Sequence, residues 1–439
     1  MLYFEIIVVM RMWHACANFF QHLSCCVECV SLNPHNITQS TLMNDPQLND
    51  LQRTELQPNR SVLLWACGLA FFMFGLTSAM IGPSLVDLAT ALGTTVVAMG
   101  LFRSARQIGQ LIGFITFGKS ADQMNLRSLA LWGGCTMSIG LLCTPFFNYH
   151  IALIAVVLWG VGHSMYNLAP NIIIGREFQA QSSSTMTMLH GVYGLGAICG
   201  PFLVEILRPF PIQNLYFICA FMTLMAALLY WFGTRACLAN SPPSITHAEQ
   251  HAITFNPRIL APYIMGVLLF SGANFTASDW LHYYTETIIG KSSITASIVT
   301  SSFWLAMTMG RFLMGWAVAR SDEKRIIRFA ALHAVIGAGM LCGSSFSIVF
   351  IVLGVILLGL GLAPVYPILM ASAANRFAEN RGQIKGILAA SIAIGAIVLP
   401  VLQGWLSSTH QQGLVVVLIA ALLMARALWS IPLQSKQLS

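Results

Sequence analysis

The stretch "LHGVYGLGAICGPFL", Leu189 to Leu203, decides the fold. It puts four glycines, a histidine and a proline into a segment apolar enough to lie in a membrane. Glycine and proline are poor helix formers in water, and histidine is costly to bury unpaired. About two hundred residues later "IGAIVLP" (394–400) repeats its centre. Gly196-Ala197-Ile198 before Pro201 corresponds to Gly395-Ala396-Ile397 before Pro400, at an offset of 199.

Other positions share this spacing. Gly160 and Gly162 match Gly359 and Gly361 at 199, Gly75 and Gly93 match Gly272 and Gly290 at 197, and Asp122 matches Asp322 at 200. A fixed period across several segments is the mark of an internal duplication.

The composition says where the duplicated unit resides. Of 439 residues 56% are hydrophobic and 8% charged, and the mean hydropathy is +0.73. Soluble domains carry about 25% charged residues, so this chain belongs in a bilayer. The net charge of +7 lacks the basic patch that nucleic-acid binding needs. Eleven cysteines are scattered, several in apolar runs, and behave as small hydrophobes rather than a disulfide framework. Cys25, Cys26 and Cys29 with His14 and His22 lack the second half of a zinc motif, so no metal is expected. No cofactor is expected either.

Apolar segments of about 20 residues read as spans. They fall at 61–86, 95–118, 128–147, 150–174, 184–207, 214–233, 259–286, 294–318, 326–345, 348–371, 384–406 and 412–432. Lys119, Arg127, Arg176, Arg235, Arg258, Arg320, Lys324, Arg325, Arg328, Arg376, Arg381 and Lys385 cluster in one set of loops. The opposite loops carry only Arg208 and Lys291. The positive-inside rule then places both termini in the cytoplasm of a multi-pass cell-membrane protein. The expected organisation is a tail (1–60), a six-helix bundle (61–233), a cytoplasmic linker (234–258), a second bundle (259–432) and a short tail (433–439). The start is open between Met1 and Met43, which would leave only a short polar tail. The fold class is therefore all-α, with twelve membrane helices in two pseudo-symmetric bundles.

Two such halves rock about a midplane site in many transporters. Gly196 and Gly200 form a face that lets helices approach closely. Pro201 and Pro400 weaken their helices near one end, and Gly191 and Gly194 remove bulk beside His190. The segment reads either as a moving helix lining a cavity or as a tightly packed structural helix.

The loop after the second span, "GFITFGKSADQMNLR" (113–127), resembles that of the major facilitator superfamily. Gly118, Ala121, Asp122 and Arg127 fit its pattern, while Gln123 stands where an arginine is usual. "GVGHSMYNLAPN" (160–171), the opening stretch, "FSGANFTASDW" (270–280), "SFWLAMTMGR" (302–311) and "GLGLAPVYPILMASAAN" (359–375) are similar to its fucose–glucose/galactose–proton symporter branch. The resemblance implies a secondary transporter of sugars working by alternating access. Asn167 and Asn274 replace acids usual in that branch, and asparagine does not titrate.

Ionisable residues inside spans are candidates for function. Arg103 and Arg106 share a helix face, Arg106 about 15 Å below the span's start; guanidinium suits an anion or a polyhydroxyl solute, and each arginine also reads as one snorkelling outward or bracing the two halves. Asp279 and His190 are the candidate proton carriers. Asp279 also reads as an interfacial residue paired with Lys291 or water, and His190 as an ordinary hydrogen-bonding residue. Gln107, Asn167, Asn171 and Asn274 supply amides, and Trp280, Trp304 and Tyr366 supply rings for a sugar's apolar face. No HExxH, GxSxG, P-loop or paired intramembrane carboxylate is present, which excludes the usual membrane enzymes. The partners expected are a small solute, a coupling proton and lipid, with the chain acting as a monomer. An anionic metabolite or an exported drug is the alternative cargo.

Overall fold

The computed structural model describes residues 60–118, 124–178, 182–235, 257–320, 322–343, 347–377, 381–409 and 414–431. The tails, most of the 234–258 linker, Lys119, Asp122 and the cysteines near residue 25 lie outside them. The described residues fold into helices: α1 (Arg60–Ala79), α2 (Leu85–Ala91), α3 (Val96–Gly118), α4 (Leu126–Cys143), α5 (Tyr149–Glu177), α6 (Ser182–Leu207) and α7 (Ile212–Gly233) form the first half. The second half comprises α8 (Pro257–Tyr283, extended by a π turn, Tyr284–Ile288), α9 (Ser293–Arg320), α10 (Glu323–Cys342), α11 (Ile348–Leu362), α12 (Val365–Arg376), α13 (Arg381–Thr409) and α14 (Val415–Ser430).

Among the described residues nine spans are long and apolar enough to cross a membrane, α11 and α12 together forming one of them. α2 and α3 qualify as a pair bent by 105°, and α14 is a shorter apolar helix. With α9 these are consistent with the twelve spans expected. The first span ends at Ala79 rather than near residue 86, because Gly82-Pro83 interrupts the helix. Proline lacks the amide that the turn would need, and a side chain at Gly82 would strike the backbone of Ser278 and Asp279 on α8. Pro364 likewise divides the tenth span into α11 and α12. Asn125, Asn148, Asp322 and Ser347 cap α4, α5, α10 and α11, accepting amide hydrogens of the first turn.

The duplication reappears in three dimensions. Gly93 (φ 61°) and Gly290 (φ 72°) are the positive-φ glycines of the described chain, one at the corresponding turn of each half. Gly196 packs on the Phe72 carbonyl of α1, and Gly395 on the Leu268 carbonyl of α8, the first long helix of each half. Each half has its own core, one running from Leu63 to Tyr230. The other runs from Leu260 to Ile431 and takes in Ala79 and Ala197 from the first half, with Val96, Tyr193 and Ile198 packed against it. Exposed apolar chains such as Trp132, Ile154 and Phe232 point outward, where lipid would cover them.

The halves meet chiefly along α3 with α13 and α6 with α9. α5 does not pack substantially on α11 or α12. Below, the face where α1 begins is the termini face, and the opposite one the far face.

Candidate functional site

The far end of the interface is closed by charge. Arg208, just past α6, reaches Glu286 in the π turn at 2.8 Å, Asp87 at 3.6 Å and Glu205 at 3.7 Å. The hydrogen bond that Arg208 donates to Glu286 holds its guanidinium above the ordinary arginine pKa. His282 lies 3.5 Å from Glu286, and the Ser293 hydroxyl donates to Glu205, tying α9 to α6. These side chains are about a quarter exposed, so each pair is worth about 0–1 kcal/mol.

One layer deeper the pairing is buried. Arg103 on α3 grips Asp279 on α8 through two nitrogens, one contact being Nε to Oδ2 at 2.6 Å. Their side chains are 1% and 3% exposed. Arg103 also donates to the Ser78 hydroxyl (3.2 Å) and carbonyl (3.0 Å), and lies 4.9 Å from the Phe275 ring centre. The Ser278 hydroxyl donates to Asp279. Beside the pair, the Ser104 hydroxyl donates to the Ile397 carbonyl at 2.5 Å, joining α3 to α13. The Trp280 indole donates to the Pro400 carbonyl at 3.0 Å. Arg103 and Trp280, expected to meet the solute, are thus engaged by the protein itself in this conformation. Asp279 pairs with Arg103, and not with Lys291.

The next layer toward the termini face is different. Arg106 donates to Ser78 (3.3 Å), meets His163 Nδ1 (3.1 Å) and lies over the Trp159 ring at 4.9 Å. Its Nε has no partner, nor do Gln107 Oε1, Asn274 Oδ1 or Trp304 Nε1, all buried. Gln107 lies one turn beyond Arg103, and Asn274 about one turn before Ser278–Asp279 on the oppositely running α8. Both therefore stand at one level, directly beneath the ion pair. A buried polar atom without a partner costs about 1–3 kcal/mol, a cost that a ligand or water removes. Asn171 donates to the Asn167 carbonyl (2.7 Å) and side chain (2.8 Å), so this pair satisfies part of its own capacity along α5.

Below this layer the α6–α9 contact carries the remaining expected groups. A side chain at Gly191 would meet the Phe312 ring, and one at Gly194 the Thr308 side chain. These glycines therefore bring the two halves together, while Gly196 and Gly200 pack on α1 within the first half. His190 is exposed although its ring stands edge-on to Phe71 at 5.5 Å. Tyr193 meets Trp304 edge-on at 6.0 Å across the interface, and Tyr366 stacks on Phe270 at 6.2 Å. His163, in the Arg106 layer, and Arg311, on α9 at this contact, are not among the residues flagged from the sequence. Arg311 satisfies the rule that flags Arg106, a charge inside a span, and lies within a quoted motif. Arg127, from the loop motif, donates to the Trp231 carbonyl (2.8 and 3.1 Å) and tethers α4 to the end of α7. Gly118 ends α3, where a side chain would meet nothing among the described residues.

The sequence family described as Major Facilitator Superfamily matches residues 67–346 and 287–438. An uncharacterized MFS-type transporter of Yersinia pestis is 25% identical over 70% of this chain and 79% of its own length. The glucose/mannose transporter GlcP of Bacillus subtilis is 21% identical over 58% of this chain and 65% of its own length. The crystal structure of a D-xylose-proton symporter superposes with a TM-score of 0.70, covering 84% of this chain and 98% of the other, at 14% identity.

Proposed function

This chain belongs to the major facilitator superfamily and is a multi-pass membrane transporter, not an enzyme; we propose that its cargo is a sugar, moved by alternating access. The observation that carries this reading is the layer of unpartnered polar atoms, Arg106 Nε, Gln107 Oε1, Asn274 Oδ1 and Trp304 Nε1. Donors and acceptors of both kinds, with aromatic rings nearby, suit a ring bearing several hydroxyls. The named glucose and mannose specificity of the Bacillus subtilis relative supports the same class.

On this reading each layer has a role. The far-face layers close one entrance, and α5 stays apart from α11 and α12 toward the termini face. With the termini in the cytoplasm, this is an inward-facing state. Solute enters beneath the Arg103–Asp279 pair and exchanges hydrogen bonds with the amides. Rocking then parts the far layers. Asp279 is the acid held away from the ends of the described spans, so a coupled proton acts by neutralising it and freeing Arg103. The halves are residues 61–233 and 259–432, and the linker 234–258 is the cytoplasmic joint.

Uptake of labelled glucose, mannose, xylose and hexuronates into proteoliposomes tests the reading. Saturable uptake, lowered at least tenfold by Gln107→Ala or Asn274→Ala, is expected. Absence of uptake or binding across the sugar panel would refute it.

A further inference from the structure

Apart from Arg426, exposed four residues before the end of α14, Arg311 stands out among the guanidiniums inside the described spans. Arg103 holds Asp279, and Arg106 holds Ser78 and His163 and lies over Trp159. Arg311 is only half-buried, and its hydrogen-bond partner is the Met307 sulfur at 4.0 Å. No acid of the described residues pairs with it. A guanidinium within the membrane normally faces a counter-charge or a water-filled cavity, and thioether sulfur is a weak acceptor. Arg311 therefore presents most of its five donors unused.

Its surroundings face the gap between the halves. Tyr193 of the first half and Tyr366 of the second lie within electrostatic reach of Arg311, and so does His190. The contacts Gly191 with Phe312 and Gly194 with Thr308 set α6 against α9 at this level. His190 and Arg311 are the sequence neighbours of Gly191 and Phe312, one on each half. His190 lies about 12 Å into α6 and Arg311 about 14 Å from the end of α9, at 1.5 Å per residue. Measured from the termini face, the two depths agree. His190 is exposed, so the space beside it is open. The charge balance favours an anion. Between the Arg103–Asp279 pair and the termini face the gap carries Arg106 and Arg311. Asp279, the acid held deep inside α8, is already matched by Arg103.

We propose that Arg311, with His190 opposite, is an anion subsite of the transport cavity, and that the transported solute carries a carboxylate beside its hydroxyls. This rests on the sugar reading above and narrows it to acidic sugars of the hexuronate type. The amide layer takes the ring hydroxyls. The forked guanidinium takes the two carboxylate oxygens, a geometry that lysine does not reproduce. The solute then bridges the two halves, because His190 and Arg311 belong to different ones.

The test is equilibrium binding to detergent-purified full-length protein, with glucuronate against glucose, galacturonate against galactose, and glucose 6-phosphate and lactate as further probes. The wild-type protein is expected to bind each hexuronate at least tenfold more tightly than its neutral hexose. Arg311→Gln is expected to weaken hexuronate about 10- to 100-fold, the loss of a charge-assisted contact, and to change hexose affinity less than threefold. Arg311→Lys should fall between. The wild-type comparison needs no variant and holds even if Arg311→Gln does not fold. Equal affinity for hexuronate and hexose overturns the proposal and leaves the sugar reading intact. Tighter binding of the phosphate ester than of either hexuronate overturns the carboxylate assignment. Arg311-dependent binding of lactate with no sugar binding supports the subsite and refutes the sugar reading.

Discussion

The two ends of the interface between the halves differ in one respect: who satisfies the polar groups. On the far side the chain does so itself. Arg103 meets Asp279, Arg208 meets Glu286, and the Ile397, Ile198 and Pro400 carbonyls accept from Ser104, Ser301 and Trp280. Toward the termini face, among the described residues, Gln107, Asn274 and Trp304 have buried atoms without partners, Arg311 lacks an acid, and His190 is exposed. Buried groups that satisfy one another hold a surface shut. Groups left open are completed by something that arrives. The contrast supports the proposal of sealing on one side and recognition on the other, and it can be broken from either.

The largest effect should come from the buried pair. Asp279→Asn leaves the Arg103 charge uncompensated, which costs about 3–5 kcal/mol. The melting temperature in detergent should fall well below wild type, and the double variant Arg103→Gln/Asp279→Asn should recover most of the loss. A double variant no more stable than the single one would mean that the pair does not hold the seal. Next come the duplicated glycines. Gly196→Leu and Gly395→Leu each force a side chain against a backbone carbonyl, and overpacking costs about 1–3 kcal/mol. Similar losses of thermal stability are expected from both, whereas a loss confined to one would break the equivalence of the halves.

The open side should behave in the opposite sense. Gln107→Ala and Asn274→Ala delete buried groups that have no partner, so ligand-free stability should stay level or rise by about 1 kcal/mol. Sugar affinity, read by titration calorimetry, should fall at least tenfold. The smallest effect belongs to Arg208→Gln at the exposed rim, about 0–1 kcal/mol, and it should vanish in 1 M salt, where screening acts over about 3 Å. A melting scan at low and high salt checks this.

Much of this architecture is legible in the sequence. Apolar length marks the spans, and the spacing of Gly93 with Gly290 and of Gly196 with Gly395 marks the duplication, because each pair does the same job in its own half. The break at Gly82-Pro83 hides inside an apolar run, where hydropathy is blind to backbone geometry. The Arg103–Asp279 pair hides for another reason. Its members are 176 residues apart in opposite halves, and no local pattern reports which faces of α3 and α8 meet. Depth alone therefore leaves Arg103 readable both as a ligand group and as a brace between the halves, and the structure shows the brace. Arg311 hides in a motif that marks family rather than charge, although its lack of an acid is visible only once its neighbours are placed.

The most direct test of the sealing role is a distance across the far face. Spin labels at Thr90 and Lys291, both exposed and on opposite halves, would be introduced into a variant lacking the native cysteines and read by pulsed electron resonance. The wild-type pair should give one short, narrow distance, and Asp279→Asn should move a large share of the population to longer distances as the far face parts. An unchanged distribution in Asp279→Asn would contradict the assignment of the Arg103–Asp279 pair as the element that holds this side closed.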